Sequence, residues 1–203
     1  GDAECKNLDD GYDCVANITF QGNQKEPLAF TFSGKDNKLG NKFDSTIEIS
    51  YRTKTGGTLL YVQDGDMYFE VAVLKDQVTV QWNLSVGLPE TNRFHKDDTN
   101  IEWNTILIKV QEGKLEAGWK GWEDYLEPIP SVSVPIDYGA YMHLFSGKFS
   151  IYLGGAPDND IIPKGNDVGH MFKGCLGEIR VGGLLLPYFP HDELYQNSTS
   201  YFI

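Results

Sequence analysis

The sequence predicts an all-β protein, a sandwich of antiparallel sheets, and three observations carry that expectation. Apolar and polar residues alternate at period two in short runs. Turn-forming residues recur between those runs, with 22 Gly and 9 Pro along the chain. No stretch of a dozen residues keeps the 3.6-residue period of an amphipathic helix, so any helix is a turn or two long. The 11 Tyr, 11 Phe and 4 Trp suit strands, and 203 residues supply a real apolar core. Parallel strands need helical crossovers, which this pattern lacks, and antiparallel sheets packed face to face remain.

The first alternating run is Ile47-Glu48-Ile49-Ser50-Tyr51-Arg52, and after Gly56-Gly57 the run Thr58-Leu59-Leu60-Tyr61-Val62 reads as the next strand. Gln63-Asp64-Gly65-Asp66 is a turn, and Met67 to Val73 and Gln77 to Leu84 are strands on either side of Lys75-Asp76. Ile106, Ile108 and Val110 point one way, Glu112-Gly113-Lys114 turns the chain, and Leu115, Ala117 and Trp119 return. That is an antiparallel hairpin. Phe149 to Leu153 ends at Gly154-Gly155, and Cys175 to Val181 ends at Gly182-Gly183. No internal repeat, low-complexity run or linker divides the chain.

Charge narrows the partners. Seventeen Lys and Arg against 29 Asp and Glu leave a net charge of -12, a field that repels nucleic acid, heparin and anionic lipid. The densest basic stretch, Arg93 to Lys96, runs straight into Asp97 and Asp98. No window reaches the about 20 apolar residues that cross a bilayer, and no signal peptide stands at the start. A secretion signal, if the parent protein has one, is expected outside this sequence.

Three N-x-S/T triplets, Asn17-Ile18-Thr19, Asn83-Leu84-Ser85 and Asn197-Ser198-Thr199, point together to an extracellular glycoprotein. The cysteines are Cys5, Cys14 and Cys175, an odd number. Cys5 and Cys14 enclose a short loop that a bridge could close in an oxidising compartment. Cys175 then pairs with one of these two or with a cysteine past Ile203, or stays a buried thiol.

Reactive chemistry is sparse. His95, His143, His170 and His191 show no zinc spacing. Cys175, between Gly174 and Leu176 at a strand start, reads as structural rather than nucleophilic. A glycoside hydrolase needs two carboxylates about 5 Å apart on one strand face. Glu123 and Glu127 are suitably spaced, but Asp124 faces away and Pro128 and Pro130 break the segment. Of the local aromatics, Trp119 follows the inward alternation. Trp122, between Gly121 and Glu123, is the exposed one and with Tyr125 is the candidate partner-binding pair.

Four stations then carry a resemblance. Phe172-Lys173-Gly174-Cys175-Leu176-Gly177-Glu178-Ile179-Arg180-Val181-Gly182-Gly183 resembles the closing motif of laminin G-like domains. Gly57 to Tyr61 with Gly65 to Val71 resembles their early hairpin, Trp103-Asn104-Thr105-Ile106 their tryptophan-led central strand, and Tyr152-Leu153-Gly154-Gly155 their glycine-ended strand. The segments Gly11 to Gly22 and Gly183 to Phe189 are similar to the laminin G domains of Crumbs-type polarity proteins. Those are single-pass surface proteins whose ectodomains alternate such modules with EGF repeats.

The resemblance implies a laminin G-like, concanavalin-like jelly-roll β-sandwich over residues 16–203. Residues 1–15 would be a cysteine-bearing linker from a preceding module. It implies a rim Ca²⁺ held by the Asp66 carboxylate, the carbonyls of Leu84 and Leu144, and the Ser146 side chain, where relatives carry Asn or Asp. All are oxygen donors of the kind a hard cation takes, although a neutral hydroxyl weakens the set. Asp66 also has a plain reading as a turn residue after Gly65, and a glycan on Asn83 would stand beside the same rim. In most laminin G domains the cysteine of the Gly-Cys pair bridges to one near the domain's end. None follows Cys175 here, so either the chain stops just short of its partner or the bridge runs to the N-terminal segment.

The function implied is a non-catalytic interaction module of an apical polarity and adhesion protein, anchored in the membrane elsewhere. It would bind an extracellular protein, a second copy of itself among the candidates. The alternative is a carbohydrate-binding, lectin-like module, and behind it a glycoside hydrolase.

Overall fold

The computed structural model describes residues 3–8, 11–32, 45–74, 77–85, 88–95, 103–120, 132–157 and 171–186, and for 3–16 the backbone alone. In chain order the strands are β1 (Ala3–Leu8), β2 (Gly11–Ala16), β3 (Ile18–Gln21), β4 (Leu28–Phe32), β5 (Thr46–Asp64), β6 (Met67–Leu74), β7 (Gln77–Asn83), β8 (Glu90–His95), β9 (Asn104–Gln111), β10 (Lys114–Trp119) and β11 (Val132–Pro135). Helix α1 (Tyr138–Leu144) follows, then β12 (Phe149–Leu153), β13 (Lys173–Val181) and β14 (Leu184–Leu185). Every pairing among them is antiparallel. The all-β antiparallel expectation therefore holds, and the two-turn helix fits the expected ceiling on helix length.

One strand builds both layers. The first half of β5 pairs with β9 and β13, which gives a sheet ordered β11-β10-β9-β5-β13, with β3 and β14 on the far side of β13. The second half pairs with β6 and β12, which gives β8-β7-β6-β5-β12-β4. The alternation predicts two strands here, separated at Gly56-Gly57. In the structure the chain runs through those glycines without a break, because they are the corner rather than a turn. Gly57 has φ +124°, and a Cβ there would lie 2.5 Å from Phe172 Cα. Only glycine lets a strand pass from one sheet to the other at so close a crossing.

The inward-facing alternate residues make one core. From β5 come Ile47, Ile49, Leu60 and Val62, from β6 Phe69 and Val71, from β9 Ile106 and Ile108, and from β12 and β13 Ile151, Leu153, Leu176 and Ile179. Helix α1 closes one end of it. Asp137 caps the helix by accepting from the Ala140 N–H at 2.9 Å, and the helix buries Tyr141 edge-on against Phe69, with ring centroids 5.6 Å apart. At the other side Trp119 fills the gap between the sheet edges, packing on Phe94 and Tyr51 and donating its indole N–H to the His95 carbonyl at 3.3 Å. This matches the inward position its alternation predicts. Residues 3–16 form a separate two-stranded hairpin, β1 with β2, where the sequence predicts a linker segment.

Candidate functional site

The sites expected at the sandwich rim are scattered through the sequence but share one end of the β6–β7 sheet. Asp64 pairs with Met67 across the Gly65-Asp66 turn, and Tyr68 pairs with Asn83 at the end of β7. Strand β12 starts from the same end, with Ser150 opposite Gln63. The turn carrying Asp66, the Asn83-Leu84 strand end and the α1–β12 connection carrying Ser146 therefore lie together. The antiparallel order alone dictates this, since every second connection returns to the same end.

At that rim Asp66 is exposed, while Leu84 and Leu144 are buried. The Ser146 hydroxyl donates to the His143 carbonyl at 2.9 Å and lies 3.2 Å from His143 Nδ1, which turns its hydrogen back toward the helix. Asp64, which the sequence offers only as a turn residue, also reaches this rim, and its Oδ2 would lie 2.9 Å from a Cβ on Gly147. It places a second carboxylate beside the α1–β12 connection, and the strand pattern gave no signal for it because Asp64 looks like any turn residue. These donors are oxygens, as a hard cation requires. No group of three or more His, Cys, Asp or Glu side chains gathers among the described residues. Any cation here would rest largely on backbone carbonyls. Leu88, in the β7–β8 connection at the same end, is 92% exposed.

The outward face of the β5–β6–β7 sheet is closed as well. Tyr61 is 3% and Tyr68 4% exposed, their rings stacked with centroids 5.4 Å apart, and Ala156 packs on them. Glu70 is 1% exposed and accepts a hydrogen bond from Thr58 Oγ1 at 2.7 Å. Burial pushes its carboxyl up from 4.5 to about 7, against the lowering effect of that hydrogen bond. Burial also raises Tyr61 and Tyr68 above the ordinary phenol range, and the Glu70 charge adds to both. Among the described residues no carboxylate stands beside Glu70 on the sheet. Its same-face neighbours on β6 are Tyr68 and Ala72, and its cross-strand partners are Tyr61 and Gln81.

Asn17 is exposed between β2 and β3, and Asn83 is half-buried at the end of β7. Cys5 and Cys14 stand directly opposite each other across the β1–β2 hairpin. Backbones so paired sit about 4.5–5.5 Å apart, within the span a disulfide bridges. Cys175 is a free thiol. Its cross-strand neighbours are Thr19 and Arg52, with Sγ 3.6 Å from the Thr19 hydroxyl and 3.9 Å from the Arg52 guanidinium. Trp122, Tyr125, Glu123, Glu127, Asn197, His170 and His191 lie outside the described residues.

The chain matches the family model of the laminin G domain over residues 52–184. No curated protein sequence matches it significantly. Among solved structures it is similar to the mouse laminin α1 chain domains LG4-5, with a TM-score of 0.62, 18% identity, and 84% of this chain and 43% of that one covered. It is similar to the LG1-3 region of the laminin α2 chain at TM-score 0.63 and 15% identity over 84% of this chain and 31% of that one. It also overlays the CBM40 of a Ruminococcus gnavus sialidase at TM-score 0.56 and 16% identity, covering 85% and 93%. The chain thus spans less than half the length of either laminin structure, and at these identities the likeness is one of fold. The expected jelly-roll sandwich is confirmed, and with more than half of its length inside the family match the chain belongs to the laminin G domain family, whose members are binding modules that commonly work outside the cell.

Proposed function

We propose that this laminin G domain is a non-catalytic, extracellular module that binds a protein partner through the rim where Asp66, Ser146 and Leu88 meet. The observation that carries the reading is the distribution of exposure. Both faces of the β5–β6–β7 sheet are closed, whereas the rim presents an acidic turn, a hydroxyl and a large apolar side chain to solvent. Loops on a rigid sandwich can vary without disturbing its core. Leu88 supplies the apolar anchor such an interface needs, and one Ca²⁺ at Asp66, Ser146 and the Leu84 and Leu144 carbonyls would stiffen the loops around it.

The parent protein in this reading is a Crumbs-like apical polarity and adhesion protein, glycosylated at Asn17, Asn83 and Asn197, bridged at Cys5 and Cys14, and anchored in the membrane by another segment. The support is the resemblance of Gly11 to Gly22 and Gly183 to Phe189. Trp122 and Tyr125 would extend the contact. A hydrolase reading finds no support at Glu70, the deeply buried carboxylate, because glycoside hydrolysis needs a second carboxylate within about 5–10 Å and none flanks it on the sheet. A carbohydrate-binding reading has one observation behind it, the fold shared with the R. gnavus CBM40, which has been solved with α2,3-sialyllactose.

The test is binding of fluorescent, glycosylated multimers of the module to epithelial cells. Leu88→Asp, Asp66→Ala and calcium chelation are each expected to reduce staining at least about fivefold, and surface proteolysis to abolish it. Staining that survives proteolysis but is lost after deglycosylating the cells would replace the protein reading with the carbohydrate one. Sedimentation velocity at rising concentration, with calcium and then chelator, decides whether the partner is a second copy.

A further inference from the structure

The closed outer face of the β5–β6–β7 sheet holds a polar row that rim binding does not use. Tyr61, Glu70 and Gln81 are direct cross-strand neighbours on β5, β6 and β7, with Tyr152 of β12 beyond Tyr61 and Thr91 of β8 beyond Gln81. Glu70 Oε1 accepts from Thr58, and Gln81 Nε2 donates to the Tyr68 hydroxyl at 2.6 Å. Gln81 Oε1 is buried and has no donor. Among the described residues, the titratable groups facing Glu70 are Tyr61 from β5, Tyr68 from its own strand and Tyr152 from β12. From β7 come only the neutral Thr79 and Gln81. On this face of β8, Arg93 stands opposite Thr79 and His95 opposite Gln77, and both are exposed. No Lys, Arg or His pairs with Glu70 among the described residues.

A carboxylate buried without a cation is costly, and so is an amide oxygen buried without a donor. One proton relieves both. We propose that Glu70 is a neutral acid in the folded protein and donates its proton to Gln81 Oε1, closing a Thr58–Glu70–Gln81–Tyr68 row. Ionisation of this one group then loosens the covered face of the sheet. The geometry suits the donation, because residues directly opposite on antiparallel strands hold their Cβ atoms about 4.5–5.5 Å apart.

The upward displacement of Glu70 by burial agrees with this and sets the direction of the effect. Below 4.5 both folded and unfolded chains hold the proton, and the contribution of the row is full. Between 4.5 and about 7 the unfolded chain releases the proton while the folded chain keeps it, so the folding constant falls about tenfold per pH unit. Above about 7 the folded acid ionises too and the loss levels off, at roughly 300-fold in all.

The experiment is urea unfolding of the 203-residue chain from pH 5 to 8.5, native against Glu70→Gln. The variant amide keeps the shape and donates to Gln81 at every pH. Subtracting its profile from the native one removes the slope due to the other carboxylates and histidines. The expected difference is a stability of the native chain that falls relative to the variant and flattens near pH 7. Parallel profiles overturn the proposal. Carboxyl ¹³C NMR of the native protein gives a readout that does not depend on how well the variant folds. The Glu70 carboxyl is expected to titrate near 7, with the Gln81 side-chain amide moving at the same midpoint. A Glu70 midpoint near 4.5, or a Gln81 amide that does not follow it, refutes the row.

Discussion

Replacing Gly57 by alanine tests how the two sheets are joined. The new Cβ would stand 2.5 Å from Phe172 Cα, 2.8 Å from Phe172 N and 2.9 Å from Met171 O. All three are backbone atoms, so no side chain can swing aside. Ordinary carbon contacts are about 3.5–4.0 Å, so the crossing of β5 and the β13 approach must open by about 1 Å. Overpacking of this kind costs about 1–3 kcal/mol. The residue also sits at φ +124°, a conformation that costs a non-glycine residue about 1–3 kcal/mol. The lower entropy of an unfolded alanine returns about 0.4–1 kcal/mol. The expected net loss is about 2–4 kcal/mol, which for a domain of this size lowers the melting temperature by roughly 4–16 °C.

The comparison is Gly65→Ala in the rim turn. Gly65 has φ +58°, but a Cβ there meets nothing within 4 Å, so only the left-handed backbone penalty of about 1–2 kcal/mol applies. Calorimetric melts of both variants in one buffer supply the measurement. If Gly57→Ala is no worse than Gly65→Ala, the strand does not turn its corner by close backbone approach, and the account of β5 is wrong.

Gln24 ties the β3–β4 turn to the rest of the sandwich, donating from Nε2 to the carbonyls of Gly154 at 3.0 Å and Phe172 at 3.3 Å while its Oε1 accepts from Gly22 N. Gln24→Ala is expected to cost about 1–3 kcal/mol in urea unfolding, and a loss below about 0.5 would mean that water replaces those bonds without penalty. Asp137→Ala removes the α1 cap and should cost about 1 kcal/mol. Its hydrogen-exchange signature is faster exchange of the Ala140 amide, and unchanged protection there would show that the cap does not hold the helix that carries Ser146 to the rim.

The strands legible in the sequence are those with one buried and one open face. Ile47, Ile49 and Tyr51, or Ile106, Ile108 and Val110, alternate because the core takes every second residue. The edge strands Leu28–Phe32, Glu90–His95 and Val132–Pro135 bury few side chains, so their pattern is faint and they escaped notice. Gly56-Gly57 read as an interruption because glycine weakens a strand locally, and nothing local shows that a second sheet crosses there. Glu70, Thr79 and Gln81 sit at polar positions of an alternating pattern, which by itself means solvent. Only the folded chain covers them, and that covering turns Glu70 from an ordinary surface acid into a buried one.

The rim divides in the same way. Asp66 stood out as a turn carboxylate, but its neighbourhood with Leu84, Leu144 and Ser146 came from a resemblance, and Asp64 was seen only in the folded structure. Residues that far apart in the chain meet because antiparallel connections alternate between the two ends of a sheet. Periodicity therefore determined the fold class and the core by itself, since both follow from which residues repeat along the chain. The corner at Gly57, the closed face around Glu70 and the company kept at the rim depend on which strands become neighbours across space, and the tertiary structure decided them.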